Sequence, residues 1–207
     1  MFRQALIDVF GTEGAAATYP FSGRTDARIV LDLMAGFLPE HEVLARLPLM
    51  RERYLAELER VLDRGGMRLL PGLPDLLEDL AARPDVTLGL LTGNWEAGAR
   101  TKLSRFDLNR FFPFGAFGSD ATDRDDLPPV ALERAARHAG RTFRPEEALV
   151  IGDSVHDVSC AHAHGISVLA VATGRTSAEE LRAAGADQVV GDLTEWSYAA
   201  FAPLSTG

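Results

Sequence analysis

One cysteine, Cys160, stands in 207 residues. No intrachain disulfide can form, so the fold rests on burial and hydrogen bonding, and the single thiol fits a reducing, cytoplasmic setting. Long apolar runs are missing too. The hydrophobic stretches fall far short of the roughly 20 residues that a membrane-spanning helix needs. Met1-Phe2-Arg3-Gln4 leads into no signal-type hydrophobic segment. Basic residues are in deficit, 21 against 30 acidic ones, for a formal net charge of -9. That balance offers no clustered positive face for nucleic acid. Repeats and low-complexity tracts are also lacking. What remains is 46% hydrophobic and 25% charged, an ordinary composition for a globular chain with a real core. The length suits one α/β domain plus a small inserted one.

Periodicity divides the chain. Phe2, Ala5, Leu6, Val9 and Phe10 recur at helical spacing, and Gly11 is placed to stop that helix. Residues 12–24 read as a loop. Thr25 or Asp26 can cap a second helix carrying Ile29, Val30, Leu33 and Met34. A longer helix is predicted from about Pro39 to Arg64, ended by Gly65-Gly66, and a short one from Leu73 to Ala82. Then strand and helix alternate. Strands are predicted at Val86–Thr92, Phe114–Phe117, Ala148–Ile151, Ser167–Val171 and Gln188–Val190, with helices between and a closing helix over Thr194–Phe201. Alternation of this kind implies a doubly wound, Rossmann-like parallel sheet. Residues 1–80 are expected to form a mainly helical cap and residues 81–207 the α/β core.

Ligands in open α/β sheets bind beyond the carboxyl ends of the strands. Three such ends carry chemistry here. Val150-Ile151-Gly152-Asp153-Ser154-Val155-His156-Asp157 closes a strand with two carboxylates spaced i, i+4, a pattern that suits a hard cation such as Mg²⁺; it also fits a plain N-cap by Asp153 or Ser154. Leu91-Thr92-Gly93-Asn94 places a hydroxyl, a glycine and an amide where helix N–H groups open toward an anion, or where Thr92 or Asn94 simply caps. Arg124 follows the 114–117 strand and could neutralise phosphate, or could lie solvated at the surface. Thr173-Gly174-Arg175 reads only as a turn. His162 and His164 face apart on a helix, against a zinc site.

Together these segments resemble the haloacid dehalogenase superfamily of phosphohydrolases. Leu91-Thr92-Gly93-Asn94 looks like its second motif, Arg124 sits where the third places a Lys or Arg, and Gly152–Asp157 looks like the fourth. Phe21-Ser22-Gly23-Arg24-Thr25-Asp26 resembles a cap segment of the phosphoglycolate-phosphatase-like members. The resemblance implies Mg²⁺-dependent hydrolysis of a small phosphorylated metabolite, with no nucleic-acid or membrane partner. Thr92, Arg124 and Asp153 would be catalytic, Gly93, Asn94 and Arg24 would bind substrate, and Asp153 and Asp157 would hold the metal.

One element of the resemblance does not fit. The superfamily carries a nucleophilic Asp, and a second Asp two residues on, at the end of a first, central strand. The only near match is Asp8-Val9-Phe10-Gly11-Thr12, which keeps one Asp inside a stretch of helical period. The preferred expectation is that the first strand and its Asp pair lie outside this sequence, upstream of Met1. Activity would then be impaired, and the central strand would be missing unless Met1–Phe10 rearranged to fill its place or another chain did. Two other expectations stand beside it: a dehalogenase-type hydrolase using Asp8, and a non-catalytic remnant that binds a phosphate ligand or a partner.

Overall fold

A computed structural model of the chain describes residues 1–62 and 67–201. The predicted Gly65-Gly66 stop lies outside the described residues. Four helices come first: α1 (Phe2–Phe10), α2 (Asp26–Met34), α3 (Glu40–Leu62) and α4 (Leu73–Ala81). The local signals explain their limits. Gly11 takes the left-handed conformation, φ 76°, and its N–H closes on the Ile7 carbonyl. Thr25 caps α2 by accepting the Arg28 N–H.

Ala5, Leu6 and Phe10 of α1 bury against Val30, Leu33 and Met34 of α2 and Val43, Met50, Tyr54 and Leu58 of α3, forming one core. The fourth helix behaves differently. Leu76 and Leu80 of α4 pack with Leu169, Val171, Leu193 and Trp196. The sequence boundary at residue 80 thus falls inside a helix that packs on the sheet.

The second part alternates as expected: β1 (Leu90–Thr92), α5 (Glu96–Ser104), β2 (Gly115–Phe117), α6 (Leu127–Ala139), β3 (Leu149–Gly152), α7 (Val155–His162), β4 (Ser167–Val171), α8 (Ala178–Ala183) and β5 (Gln188–Val190). Every strand pair is parallel. Helices cover both faces of the larger sheet, because side chains alternate along β4. Val168 packs with Val158 and Ala161 of α7, whereas Leu169 and Val171 face the α4 side.

Three expectations are corrected. The long strand predicted from Val86 is ordered as β only over Leu90–Thr92, where β2 supplies a partner, Leu90 opposite Gly115 and Thr92 opposite Phe117. The closing helix is replaced by two short 3₁₀ turns, Leu193–Glu195 and Tyr198–Ala200. Asp192 accepts the Thr194 N–H at 2.8 Å, and the Trp196 indole turns inward to donate to Gln188 at 3.0 Å. Tertiary anchoring thereby overrides the helical pattern. Finally, the strands form two sheets, β1-β2 and β3-β4-β5. Among the described residues no strand joins β1 to β3, and Met1–Phe10 does not rearrange, since Phe2–Phe10 stays helical.

Candidate active site

A cavity of about 450 Å³ opens where the ends of β1 and β3 meet the helical layer. Thr92, Gly93, Asn94, Arg124, Gly152, Asp153, Ser154 and Asp157 line it, with Arg24 and Asp26 from the segment that starts α2. All the expected site residues therefore share one cavity, although they are up to 133 positions apart in the chain (24 to 157). Asp8 is not among the lining residues; it lies exposed on α1 and accepts a hydrogen bond from the Gln4 amide at 2.9 Å.

The Gly152–Asp157 turn is built by hydrogen bonds. Ser154 caps α7, and Asp157 answers from the third helical position in a capping box. One Asp157 oxygen accepts the Ser154 hydroxyl at 2.7 Å, the Ser154 N–H at 3.0 Å and the Asp153 N–H at 3.2 Å. The other is ion-paired to Arg124. A Cβ at Gly152 would overlap the Asp157 carboxyl. Both members of the pair are largely enclosed, the side chains 13% and 8% exposed. Arg124 is thus no surface arginine, and its Nε is buried without a partner. Asp157 is saturated, and this fits its role as orienter of the turn better than that of a metal ligand.

Asp153 is the contrasting carboxylate. Among the described residues it forms no salt bridge, and burial together with the neighbouring Asp157 charge raises its pKa. An open carboxylate without a counter-ion can accept a cation. Mg²⁺ takes one or two carboxylates and completes its shell with water and phosphate oxygens, so a site with Asp153 at its centre fits this ion. No group of three or more His, Cys, Asp or Glu side chains converges as a metal cage among the described residues. Gly174, read from sequence only as part of a turn, presses against this carboxylate so closely that a Cβ would overlap it.

The Thr92–Asn94 turn departs most from expectation. The Asn94 N–H donates to Thr92 Oγ1 at 3.2 Å. The Asn94 side chain is occupied, its Nδ2 donating to Asp26 at 3.3 Å and its Oδ1 accepting Lys102 Nζ at 2.8 Å. Asp26, 4% exposed, also accepts the Trp95 N–H at 2.8 Å and donates its own N–H to the Gly93 carbonyl at 2.7 Å. A Cβ at Gly93 would overlap the Arg24 carbonyl. The turn is thus clamped to the start of α2. Burial raises the Asp26 pKa and lowers that of Lys102, each opposed by its neighbours. Lys102 went unread in the sequence. A signal was available: it shares a helical face with the small buried Gly98 and Ala99.

Arg24 turns to Asp32 at 3.1 Å and lies over the Tyr19 ring, 5.7 Å from its centroid. His162 pairs with Asp187 at 2.9 Å, while His164 meets the Asp125 carbonyl at 2.6 Å. Cys160 is free and buried.

Stretches of this chain match known proteins. Residues 126–196 match the family model for HAD-hydrolase-like proteins. Phosphoglycolate phosphatase 1 of Pseudomonas aeruginosa is 34% identical over 104 residues, 50% of this chain and 37% of that protein. These matches support a place in the haloacid dehalogenase-like hydrolase superfamily. A 5'-nucleotidase of the same organism is 32% identical over 118 residues, covering 56% of this chain and 51% of that one. The chain thus spans about half or less of the length of these two curated relatives. The haloacid dehalogenase-like fold extends further. The structure of CbbY from Rhodobacter sphaeroides in complex with phosphate superposes with TM-score 0.62, at 22% identity over 94% of this chain and 88% of that one. A predicted phosphatase from Clostridium acetobutylicum gives 0.64 at 17% identity, covering 94% and 89%.

Proposed function

We propose that the cavity binds the phosphoryl group of a small phosphate monoester together with Mg²⁺, as part of an ester-hydrolysing site. The observation that carries this is the convergence of Thr92, Gly93, Arg124 and Asp153 on one cavity. The helix-opening N–H groups of the Thr92–Asn94 turn suit an anion. Arg124, held by Asp157, supplies a fixed positive charge for phosphoryl oxygens. Asp153 would hold the metal, which offsets phosphate charge when bound. Asn94 acts through its backbone, because its side chain is committed to Asp26 and Lys102. Phosphatase names among the relatives support the same reading, and residues 1–80 would supply the cap, with α4 set aside. We place the protein in the cytoplasm on its single free cysteine.

Turnover by this chain is proposed to be impaired. Nucleophilic phosphatase chemistry needs a carboxylate free to attack phosphorus. Among the cavity carboxylates Asp26 and Asp157 are engaged by hydrogen bonds, and Asp153 is the metal-type ligand. This favours a second reading, binding without turnover. The dehalogenase reading has no support from geometry, because Asp8 does not line the cavity.

The test has two parts. Calorimetric titration with inorganic phosphate is expected to show Mg²⁺-dependent binding that Asp153→Asn abolishes. Hydrolysis of p-nitrophenyl phosphate is expected to stay at background with and without Mg²⁺. Mg²⁺-dependent turnover lost in Asp8→Asn would overturn the assignment and make Asp8 the nucleophile.

A further inference from the structure

The helical wall of the cavity differs in kind from the sheet-end wall. Phe2, Phe21, Ile29 and Tyr54 line it beside Arg24 and Asp26. Phe2 is pinned by three other rings: it stacks on Trp95 at 6.3 Å and 14°, and meets Tyr54 and Phe21 edge-on at 5.4 and 6.0 Å. Phe21 is held in turn by the Tyr19 edge at 5.4 Å. The wall is therefore a rigid aromatic surface, and Phe2 and Phe21 keep part of their area open.

Its charged groups are paired within the protein, apart from the buried Arg24 Nε. Arg24 is neutralised by Asp32 at 3.1 Å. Each Asp26 oxygen accepts one hydrogen bond, from the Asn94 amide and from the Trp95 N–H. Lys102 gives its ammonium to Asn94 and does not line the cavity. A carboxylate or second phosphate on the ligand would be desolvated beside Asp26 with no unpaired cation of this wall, among the described residues, to receive it. An uncharged flat group would instead lie on ring faces and edges. The volume, about 450 Å³, is ample for a phosphate and one ring system, since small-molecule pockets run from about 300 to 1,000 Å³.

We propose that this wall is a subsite for a flat, uncharged alcohol portion of the phosphate ester, of aryl or nucleoside type, and that Phe21 is a specificity-determining residue. The proposal rests on the phosphate-binding reading above and adds the substrate class to it.

Non-hydrolysable phosphonates separate the two claims. Dissociation constants are measured in Mg²⁺ by calorimetry on the full chain, for methylphosphonate, phenylphosphonate, phosphonoacetate and a nucleoside 5'-phosphonate. Phenylphosphonate is expected to bind at least about ten-fold tighter than methylphosphonate, the scale of a good aromatic contact, with a change in Trp95 emission, and phosphonoacetate no tighter than methylphosphonate. Phe21→Ala should erase most of that ratio, and Phe21→Leu, which keeps apolar bulk, should erase part of it. The nucleoside arm shows whether the flat group sits directly on phosphorus or beyond a ribose. Methylphosphonate binding without a phenyl advantage, or preferential binding of phosphonoacetate, sinks the subsite and leaves the phosphate reading intact. A phenyl advantage that survives in folded Phe21→Ala also overturns the assignment of Phe21. Failure of every phosphonate and of inorganic phosphate to bind overturns both.

Discussion

At the scale of single residues, the two carboxylates four positions apart have opposite fates. The Asp157 carboxylate has four partners, three N–H or O–H donors to one oxygen and Arg124 on the other. Removing its charge strands the enclosed Arg124 guanidinium. Asp157→Ala is therefore expected to cost about 3–5 kcal/mol, read from urea denaturation. Asp153 behaves in the reverse sense. Its folded pKa lies above the ordinary carboxylate value, so the native state binds this proton more tightly than the unfolded chain does. Below about pH 4 both states are protonated and no penalty exists. The penalty grows as pH rises through the folded pKa and is complete above it. Asp153→Asn should accordingly raise the melting temperature at neutral pH, with the gain fading toward pH 4. Mg²⁺ should raise the melting temperature of the native chain, by about 2.7 kcal/mol of stabilisation at a hundred times its Kd, and leave Asp153→Asn unmoved.

At the scale of elements, β4 and the β1 and β3 edges are unlike. β4 has a partner on each side, and Val168, Leu169 and Ala170 are buried. Among the described residues β1 and β3 each have a strand partner on one side only, and Ile151 is 40% exposed in mid-strand. Backbone groups at such edges are open to water. Hydrogen exchange followed by mass spectrometry should find β4 the slowest strand, with β1 and β3 faster by orders of magnitude. Similar protection across all five strands would count against the two-sheet arrangement. Helix α1 was legible because its stripe and its Gly11 stop are both local. The 194–201 segment was not, because the inward turn of Trp196 depends on Gln188 in β5.

At the scale of the whole molecule, a helical core and a sheet core are tied by polar contacts and by Trp95, which packs in the helical core. Asp26 holds the Gly93–Trp95 turn, Thr25 donates to the Thr122 carbonyl, and Arg28 meets Asp123 at 2.8 Å. The exposed Arg28 pair contributes little; the buried Asp26 clamp is the main polar tie. Asp26→Ala leaves the Trp95 N–H unmatched and is expected to cost about 2 kcal/mol or more. It should also broaden chemical unfolding into two steps, followed by Trp fluorescence and far-ultraviolet dichroism. Coincident, single-step curves would show that apolar packing alone couples the cores.

The sequence by itself determined the alternation of parallel strands and helices, a helix cap at Thr25 or Asp26, and the loops at Thr92, Arg124 and Asp153, because periodicity, capping and strand-end chemistry are local properties. Tertiary structure alone decided which side chains remain free within those loops. It spent Asn94 on Asp26 and Lys102, saturated Asp157 with Arg124, and left Asp153 exposed to a cation. It also put Phe2 and Phe21 opposite the phosphate-type turn and split the strands into two sheets. Those outcomes depend on pairs of residues tens of positions apart, and no spacing along the chain encodes which partner arrives first to satisfy a buried polar group.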